Sequence, residues 1–540
     1  MRGLHQLVFR DSKRRTPYHR AVHVTARLAL LATLLTACGR VNYDPADAMR
    51  DATFDAARPT DDTPGPDTAS DAAGDAYFGP DTGAPRLTDH FIKANNTGRD
   101  DSFGSAVALS GDGNTLAVGA IYEDSTGTGI NPADSNDGSS NGAVYVYVRT
   151  SPTTWAFQAF IKPPNTDSFD EFGASLALSN DGSTLAVGIP NEDGAGLGVN
   201  PSLSETSSDS GAVYVYARSA STWAFQAYLK ANNTGAGDHF GTSVALSASG
   251  NELAVGAPNE DSTNPGVDPT SDEGRRDSGA VYLFQRSGSA WAFGNRFKSD
   301  DPVPNGFFGT AVALSSSGQT MVVGAPTAPL GGFAVVYQRT ASWAYEATLR
   351  GANAAPNDLF GAALAISADG RTVAVGANGE ATRAAGINPI PNRDEPDTGA
   401  AYVFTSDGAR WTQQAFIKAS NAAGDNFAWS LALDASGDQL LVGSIFEDGS
   451  GDGLDPVDNN DATGAGAAYS YRRTGTTWAE LHFIKAFNSD AGDHFGAAVA
   501  MSRDGSIYAI GAPVEASSAT GVNNTPNESL PGAGAVYVSR

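Results

Sequence analysis

The chain has 540 residues, with 60 Asp and Glu against 34 Lys and Arg, a formal net charge of −26, and one cysteine. Such an acidic chain is expected to be repelled by nucleic acid and by anionic lipid, which leaves cations and basic partners as ligands. Solubility alone is the alternative explanation of the charge. The single cysteine excludes a disulfide within the chain.

The first 37 residues are typical of a signal peptide. They carry seven Lys and Arg and one acid, and they end in a short apolar stretch, residues 28–37. That stretch is too short to span a bilayer. It runs into Leu35-Thr36-Ala37-Cys38, which resembles a bacterial lipoprotein processing box. We therefore expect export and a lipid anchor on Cys38, and Gly39 is compatible with an outer-membrane location.

Residues 38–85 are predicted to be a disordered tether. They are rich in Ala, Asp, Pro, Thr and Gly and have almost no large apolar residue. Such a composition cannot bury enough surface to fold. The tether would hold a folded domain, residues 86–540, clear of a membrane. Without the first 37 residues the chain has 27 Lys and Arg against 59 Asp and Glu, a formal net charge of −32.

A phrase that opens on Phe, usually Phe-Gly, is repeated seven times in the remaining chain. The spacing of the opening residues is 69, 68, 68, 52, 67 and 68 residues. Self-similarity at this scale indicates a stacked or circular repeat architecture. The opening phenylalanines are Phe103, Phe172, Phe240, Phe308, Phe360, Phe427 and Phe495.

Each unit is predicted to contain four short strands, a to d. Strands a and b are small and apolar and are joined by a tight turn such as Asp112-Gly113, whereas strands c and d are amphipathic. Residues 91–93 resemble a strand d with nothing before it, and the last unit stops after its strand c. The N-terminal strand therefore completes the last unit. The prediction is an all-β, seven-bladed β-propeller closed by strand exchange.

Phe-Gly followed by Val-Gly-Ala-Pro, as at residues 255–258 and 323–326, resembles the FG-GAP repeat of the integrin α-subunit propeller. The chain is most similar to the bacterial lipoprotein branch of these repeats, over residues 90–540. The resemblance implies that one face of the propeller binds partners. In integrins, calcium loops lie between strands a and b, but here those connections are tight turns such as residues 110–113. Integrin calcium sites are therefore not expected.

The long connections between strands b and c carry the candidate site residues. Six of the seven place a Glu twenty residues after the Phe, followed later by a Gly-[Ile/Val/Leu]-[Asn/Asp] turn. Oxygen-rich loops of this kind are candidates for calcium or for a partner. The alternative is that the acids accept backbone N–H bonds and hold the loops in shape. The candidates are Glu123, Asp124, Asp134, Asp137, Glu192, Asp193, Glu260, Asp261, Glu447, Asp448, Asp455 and Asp458.

A second set of acids precedes the Phe by two residues. The connections that carry them are predicted to lie on the same rim of the propeller as the b–c loops. The acids are Asp101, Asp170, Asp238, Asp358, Asp425 and Asp493. A basic residue ends each strand d. We interpret it as an exposed edge residue that discourages edge-to-edge pairing. The fourth unit is expected to have a loop thirteen residues shorter than the others. This shortening would either form a groove in the rim or reflect neutral drift.

No catalytic motif is present in the sequence, so an enzyme is not expected. The favoured function is a lipid-anchored binding or adhesion module of the bacterial cell envelope. It would present an acidic rim to a protein or glycan partner, with calcium as a possible aid. A monomer that binds no nucleic acid is expected. A polysaccharide-active propeller enzyme and a purely structural envelope protein are the alternatives.

Overall fold

The computed structural model describes residues 90–540, apart from residues 134, 136, 137, 166, 422, 423 and 458. This part of the chain is all-β and holds no helix, and hence none long and apolar enough to cross a membrane. The predicted leader, the tether and Cys38 lie outside the described residues, as do Asp134, Asp137 and Asp458.

The strands form seven antiparallel sheets, which are the blades of the propeller. The chain opens with β1 (His90–Ile92). Blades 1 to 3 contain β2 (Phe103–Leu109), β3 (Thr115–Ala120), β4 (Gly129–Ile130), β5 (Ala143–Ser151), β6 (Thr154–Lys162), β7 (Ser175–Leu178), β8 (Thr184–Ile189), β9 (Ala212–Ser219), β10 (Thr222–Leu229), β11 (Ser243–Leu246), β12 (Glu252–Ala257), β13 (Gly266–Val267), β14 (Ala280–Ser287) and β15 (Ala290–Lys298).

Blades 4 to 7 follow the same order of strands a, b, c and d. They contain β16 (Val312–Leu314), β17 (Thr320–Ala325), β18 (Phe333–Arg339), β19 (Trp343–Leu349), β20 (Phe360–Ile366), β21 (Thr372–Ala377), β22 (Ala400–Ser406), β23 (Trp411–Ile417), β24 (Phe427–Leu433), β25 (Gln439–Ser444), β26 (Ala467–Thr474), β27 (Thr477–Ile484), β28 (Ala498–Met501), β29 (Tyr508–Ala512) and β30 (Ala535–Ser539).

The N-terminal strand closes the ring. Strand β1 pairs antiparallel with β30, with Phe91 opposite Tyr537 and Ile92 opposite Val536. The last blade therefore has the order β1-β30-β29-β28, and its outermost strand comes from the other end of the described chain. The predicted seven-bladed propeller is confirmed. Because β1 pairs with β30, the last blade has its fourth strand and the edge of β30 is not left unpaired.

The glycine after the opening Phe is required by the close approach of neighbouring blades. Gly104 has φ of 99°, and a Cβ on it would lie 2.4 Å from the carbonyl oxygen of Ala535 in the last blade. The glycine of strand b has the same role, because a Cβ on Gly119 would lie 2.3 Å from the carbonyl oxygen of Gly173. Gly104 also needs a left-handed φ, whereas Gly119 needs only the absence of a side chain, so the repeated Phe-Gly and Val-Gly pairs mark the inner contacts between blades.

Backbone contacts also join the blades at both ends of the inner strands. At the rim, the Gly that precedes strand c bridges to the opening Phe of the next blade, as Gly142 does to Phe172. At the opposite end, the a–b turns form a closed ring of seven N–H to carbonyl bonds between adjacent blades. The bonds run from 112 to 180, 180 to 248, 248 to 316, 316 to 368, 368 to 435, 435 to 503 and 503 to 111, at 2.8–3.1 Å.

The fourth blade corrects one detail of the sequence analysis. Its b–c connection has seven residues, 326–332, against twenty-two, 121–142, in the first blade, so it is fifteen residues shorter rather than thirteen. The difference arises because Val335 occupies the register position of Tyr145: Val335 lies opposite Val323, and Tyr145 lies opposite Val118. A difference of thirteen follows if Tyr337 is matched with Tyr145, whereas the strand register matches Tyr337 with Tyr147.

Candidate functional site

The long b–c loops fold back along the outer edge of their own blade. In the first blade β4 pairs with the end of β6, and Asn131 donates its N–H to the carbonyl of Phe160 at 2.7 Å. The Oδ1 of Asn131 accepts the N–H of Phe160 at 2.8 Å. This turn needs a left-handed backbone, which Asn and Asp tolerate best among residues with a side chain. The same position has φ of 49–57° in all six long loops: Asn131, Asn200, Asp268, Asn388, Asp455 and Asn523.

The loop glutamates are buried and form ion pairs with the basic residue that ends strand d. Both side chains of each pair are at most 1% exposed. Burial lowers the pKa of Lys162, an effect that Glu123 opposes. The pairs are Lys93–Glu515 (2.6 Å), Lys162–Glu123 (2.7 Å), Lys230–Glu192 (2.7 Å), Lys298–Glu260 (2.6 Å), Lys418–Glu380 (2.8 Å) and Lys485–Glu447.

An asparagine and a tyrosine complete each of these networks. In the third blade Asn233, from the connection that precedes the blade, donates to Oε1 of Glu260 at 2.8 Å and accepts from the hydroxyl of Tyr282 at 2.7 Å. The fourth blade has lost the whole set. It has Arg350 for the lysine, Asp301 for the asparagine and Val335 for the tyrosine, and it lacks the Glu. Joint loss indicates that the four side chains act as one unit.

The interpretation of the strand-d lysines as exposed edge residues is therefore wrong. All six are fully buried, because the b–c loop covers the edge of strand d and supplies the carboxylate that neutralises the ammonium. Edge protection comes from the loop itself. In the fourth blade, Arg350 instead donates to the carbonyls of Pro329 and Gly332, at 3.0 and 2.8 Å.

We expect the lysines of the folded chain to resist acylation. The native protein, treated with an amine-reactive acetyl ester, should remain unmodified at these six positions, since a buried, ion-paired ammonium is neither accessible nor nucleophilic. Denatured protein should be modified at all of them. Peptide mass spectrometry measures both. The control variant Arg350→Lys places a lysine at the same repeat position without a glutamate, and it should react in the native state. Native-state labelling at the six positions comparable with that of Arg350→Lys would contradict the assignment.

The other predicted site residues mostly bind backbone N–H groups. The acid after the loop glutamate holds the returning part of the loop: Asp124 accepts from Ser140 (2.7 Å), Asp193 from Asp209 (2.8 Å), Asp261 from Asp277 (2.6 Å) and Asp448 from Gly464 (2.7 Å). The acid before the Phe caps the preceding turn in four blades: Asp101 accepts from Gly98 (2.7 Å), Asp238 from Gly235 (2.8 Å), Asp358 from Ala355 (2.8 Å) and Asp493 from Asp490 (3.1 Å). Asp455 accepts the N–H of Phe483 at 2.9 Å. These contacts favour the loop-holding explanation of the acids.

No group of three or more His, Cys, Asp or Glu side chains is arranged to hold a metal ion in the part of the chain that the structure describes. In that part of the chain, the b–c loop acids that were candidates for calcium bind lysines or backbone N–H groups instead. Asp134, Asp137 and Asp458 lie outside this description.

Asp170 departs from the other acids of its position. Its side chain is 3% exposed, and its Oδ2 has no hydrogen-bond partner among the described residues. Burial, followed by the nearby carboxylates of Asp167, Glu192 and Glu205, raises the pKa of Asp170 to about 8. Burial, followed by Glu192, raises the pKa of Glu205 to about 7. We call Asp167, Asp170, Glu192, Asp193 and Glu205 the second-blade acidic cluster.

The fifth blade shows how such an aspartate is neutralised. Arg393 donates from its two terminal nitrogens to both carboxylate oxygens of Asp358, at 2.6 and 3.3 Å. Arg393 and Glu205 occupy the same place in their loops. Each follows a residue whose side-chain oxygen accepts a backbone N–H nine residues earlier, Asn392 (3.0 Å) and Ser204 (3.0 Å). The sequence pattern did not single out Glu205, Asp167 or Arg393, although an alignment of the six long loops shows the exchange of Arg for Glu.

The repeat family is identified by sequence. The FG-GAP repeat matches residues 90–147, 155–216, 223–284 and 343–404. The chain contains FG-GAP repeats. Each matched segment runs from a strand d through strands a to c of the next blade, which is the first, second, third or fifth, and strands a to c of the short fourth blade are not among them. No curated protein matches the sequence.

Several solved structures match this chain at low sequence identity. The periplasmic gluconolactonase of Pseudomonas aeruginosa is 14% identical, with 74% of this chain and 97% of that chain covered and a TM-score of 0.41. A putative 6-phosphogluconolactonase of Bacteroides uniformis is 10% identical over 71% and 86%, with a TM-score of 0.43. The WD40 repeats of RRP9 are 8% identical over 85% and 99%, with a TM-score of 0.47.

Proposed function

We propose that this protein is a non-catalytic binding module of the bacterial cell envelope. It is anchored by lipidated Cys38 and presents the second-blade acidic cluster to a basic protein partner. The observation that carries the proposal is the buried Oδ2 of Asp170, which no group in the described part of the chain satisfies. A buried polar atom without a partner costs free energy unless a ligand satisfies it.

The fifth blade indicates which ligand fits. There, the guanidinium of Arg393 binds both oxygens of Asp358 and lies 3.9 Å from Glu380. The second blade has the same carboxylates, Asp170 and Glu192, but carries Glu205 where the fifth blade has the arginine. An arginine of a partner would restore the missing charge. Charge-assisted, bidentate pairs of this kind are the strongest hydrogen bonds available at a protein surface.

The raised pKa values give the site a pH dependence with a defined sign. Because the folded-state pKa of Asp170, about 8, lies above that of an unfolded aspartate, the empty site holds a proton at neutral pH. The stabilising contribution of that proton is present at low pH and is lost as the pH rises through about 8. A cation that binds the ionised cluster must displace the proton. Binding should therefore be tighter above pH 8 than at pH 6.

Replacing Glu205 by arginine should supply internally the cation that the partner brings. We expect the Glu205→Arg chain to bind a short arginine-containing peptide about tenfold more weakly, since charge-assisted contacts are lost. We also expect it to lose less stability than the unsubstituted chain between pH 6 and pH 8.5. Fluorescence anisotropy with a labelled peptide and thermal unfolding at both pH values measure these effects.

The matched control is Glu395→Arg, the same charge change in the loop of the fifth blade, where Arg393 is already present. It should leave peptide binding unchanged. Equal losses in both variants would reduce the effect to net charge and contradict the proposal. Calcium chloride replaces the peptide in a parallel titration. If calcium stabilises the unsubstituted chain and Glu205→Arg abolishes that effect, the cluster is a calcium site and the basic partner is rejected.

A further inference from the structure

The outer tryptophans of the blades provide an internal comparison. In the first six blades a Trp opens strand d, and five of them are buried, at 3–7% exposed. In four blades an arginine from the neighbouring strand c lies over the ring, with the guanidinium carbon 5.2–5.5 Å from the ring centroid: Arg218 over Trp223, Arg286 over Trp291, Arg339 over Trp343 and Arg473 over Trp478. In each case the arginine is the cross-strand partner of the tryptophan.

The fifth blade leaves its tryptophan uncovered. The cross-strand partner of Trp411 is Ser406, whose side chain cannot reach over the indole ring. Trp411 is accordingly half-buried. Its indole N–H donates to Oε1 of Glu346 at 3.0 Å, whereas three of the covered tryptophans donate to a glutamine of the preceding blade. A carboxylate has thus replaced a neutral amide beside the one uncovered ring among Trp223, Trp291, Trp343, Trp411 and Trp478.

Trp411 lines a cavity of about 620 Å³ between the outer parts of the fourth and fifth blades, within the range of small-ligand pockets. Other lining residues are Glu346, Arg350, Phe404, Arg410 and Gln413. The cavity lies beside the fourth blade, whose b–c connection is too short to fold back along strand d as the other loops do. The short b–c connection of the fourth blade and the absence of an arginine opposite Trp411 therefore both leave this cavity uncovered.

The polar groups of the cavity are suited to hydroxyl and carboxylate groups. Arg410 is exposed, and no carboxylate among the described residues forms an ion pair with it. Gln413 uses its Oε1 to accept the N–H of Ala352 at 2.8 Å, which leaves its amide N–H groups as donors. Two arginines and one glutamate make the lining positive, in a chain whose net charge is −26. A basic ligand is therefore disfavoured at this place.

We propose that this cavity binds an acidic saccharide, with a sugar ring against the indole of Trp411 and the sugar carboxylate on Arg410. Aromatic rings present a negative face that attracts the C–H edge of a sugar ring. Glu346 accepts hydrogen bonds from hydroxyl groups, and Gln413 donates to them. The site is separate from the second-blade acidic cluster, none of whose residues lines the cavity.

The test is a calorimetric titration of the full chain with a trimer of galacturonic acid and with a trimer of galactose. The acidic trimer should bind more tightly. Ser406→Arg should weaken its binding about tenfold or more, because the new guanidinium covers Trp411 as in the four other blades. This variant adds a contact and should keep the fold, which unfolding measurements verify.

Arg410→Ala should weaken binding of the acidic trimer and leave the neutral trimer unaffected. The matched control Arg383→Ala removes an arginine of the same blade that is 70% exposed and lies outside the cavity lining. It should leave binding of both sugars unchanged. The proposal is overturned if neither trimer binds, if Ser406→Arg binds as tightly as the unsubstituted chain, or if the two arginine variants lose affinity equally.

Discussion

Lys162→Met is expected to lower the free energy of unfolding by about 3–5 kcal/mol, because it leaves a buried carboxylate without its cation. The ammonium of Lys162 lies 2.7 Å from Glu123 and donates to the carbonyl of Gly142 at 2.6 Å. Gly142 bridges to Phe172, so the pair also supports the junction between two blades. Urea unfolding, followed by tryptophan fluorescence, measures the loss.

The double variant Glu123→Gln with Lys162→Met separates the charge effect from packing. It should recover a large part of the stability, since no uncompensated buried charge remains. Arg350→Met is the matched control. This position is half-buried in the blade that has no loop glutamate, so its loss should be small. Equal losses in Lys162→Met and Arg350→Met would show that the ion pair adds nothing beyond the volume of its side chains.

A chain that begins at residue 94 is expected to fail to form the closed propeller. It lacks β1, and with it the buried side chains of Phe91 and Ile92, each of which contributes about 1.5–3 kcal/mol. It also lacks Lys93, which leaves Glu515 buried and unpaired. The sum is comparable with the whole stability of a typical domain. The uncovered edge of β30 should in addition promote aggregation, which gel filtration and circular dichroism detect.

A chain that begins at residue 86 keeps the strand and is the control for the truncation; it should remain folded. A synthetic peptide of residues 86–96 should restore folding to the shorter chain, because β1 is held only by non-covalent contacts with the last blade. The same peptide with Lys93→Met should restore it poorly. Normal folding of the chain that begins at residue 94 would contradict the role of β1 as the closing strand.

The lysines show why a local pattern was misinterpreted. In sequence, Lys162 is the last residue of an amphipathic strand, and such a residue on an outer strand is usually exposed. The Glu that neutralises it lies 39 residues earlier, and the connection between them carries no local signal that they meet. Glu and Lys are 38 or 39 residues apart in five of the six pairs, and in the sixth pair the two residues come from opposite ends of the described chain. Only the contacts of the folded loop show that this Glu and Lys162 form one network with an asparagine of the preceding connection.

The roles of the acids that precede the opening Phe likewise depended on contacts. Repetition alone predicted that Asp170 and Asp358 are equivalent. The structure added that Arg393 neutralises Asp358, whereas Oδ2 of Asp170 has no partner in the described part of the chain. The uncovered Trp411 is similar. Its cross-strand neighbour depends on the register of β22 and β23, which a bulge shifts between Val403 and Phe404.

The sequence by itself determined the number of blades, the order of strands within them and the closure of the ring. These follow from backbone requirements that repeat at each unit, such as Gly104 where a Cβ would meet the carbonyl of Ala535. The tertiary structure alone decided which charges are buried and which surfaces are open. Burial depends on how a loop folds back on its strand, and that geometry joins residues far apart in the chain.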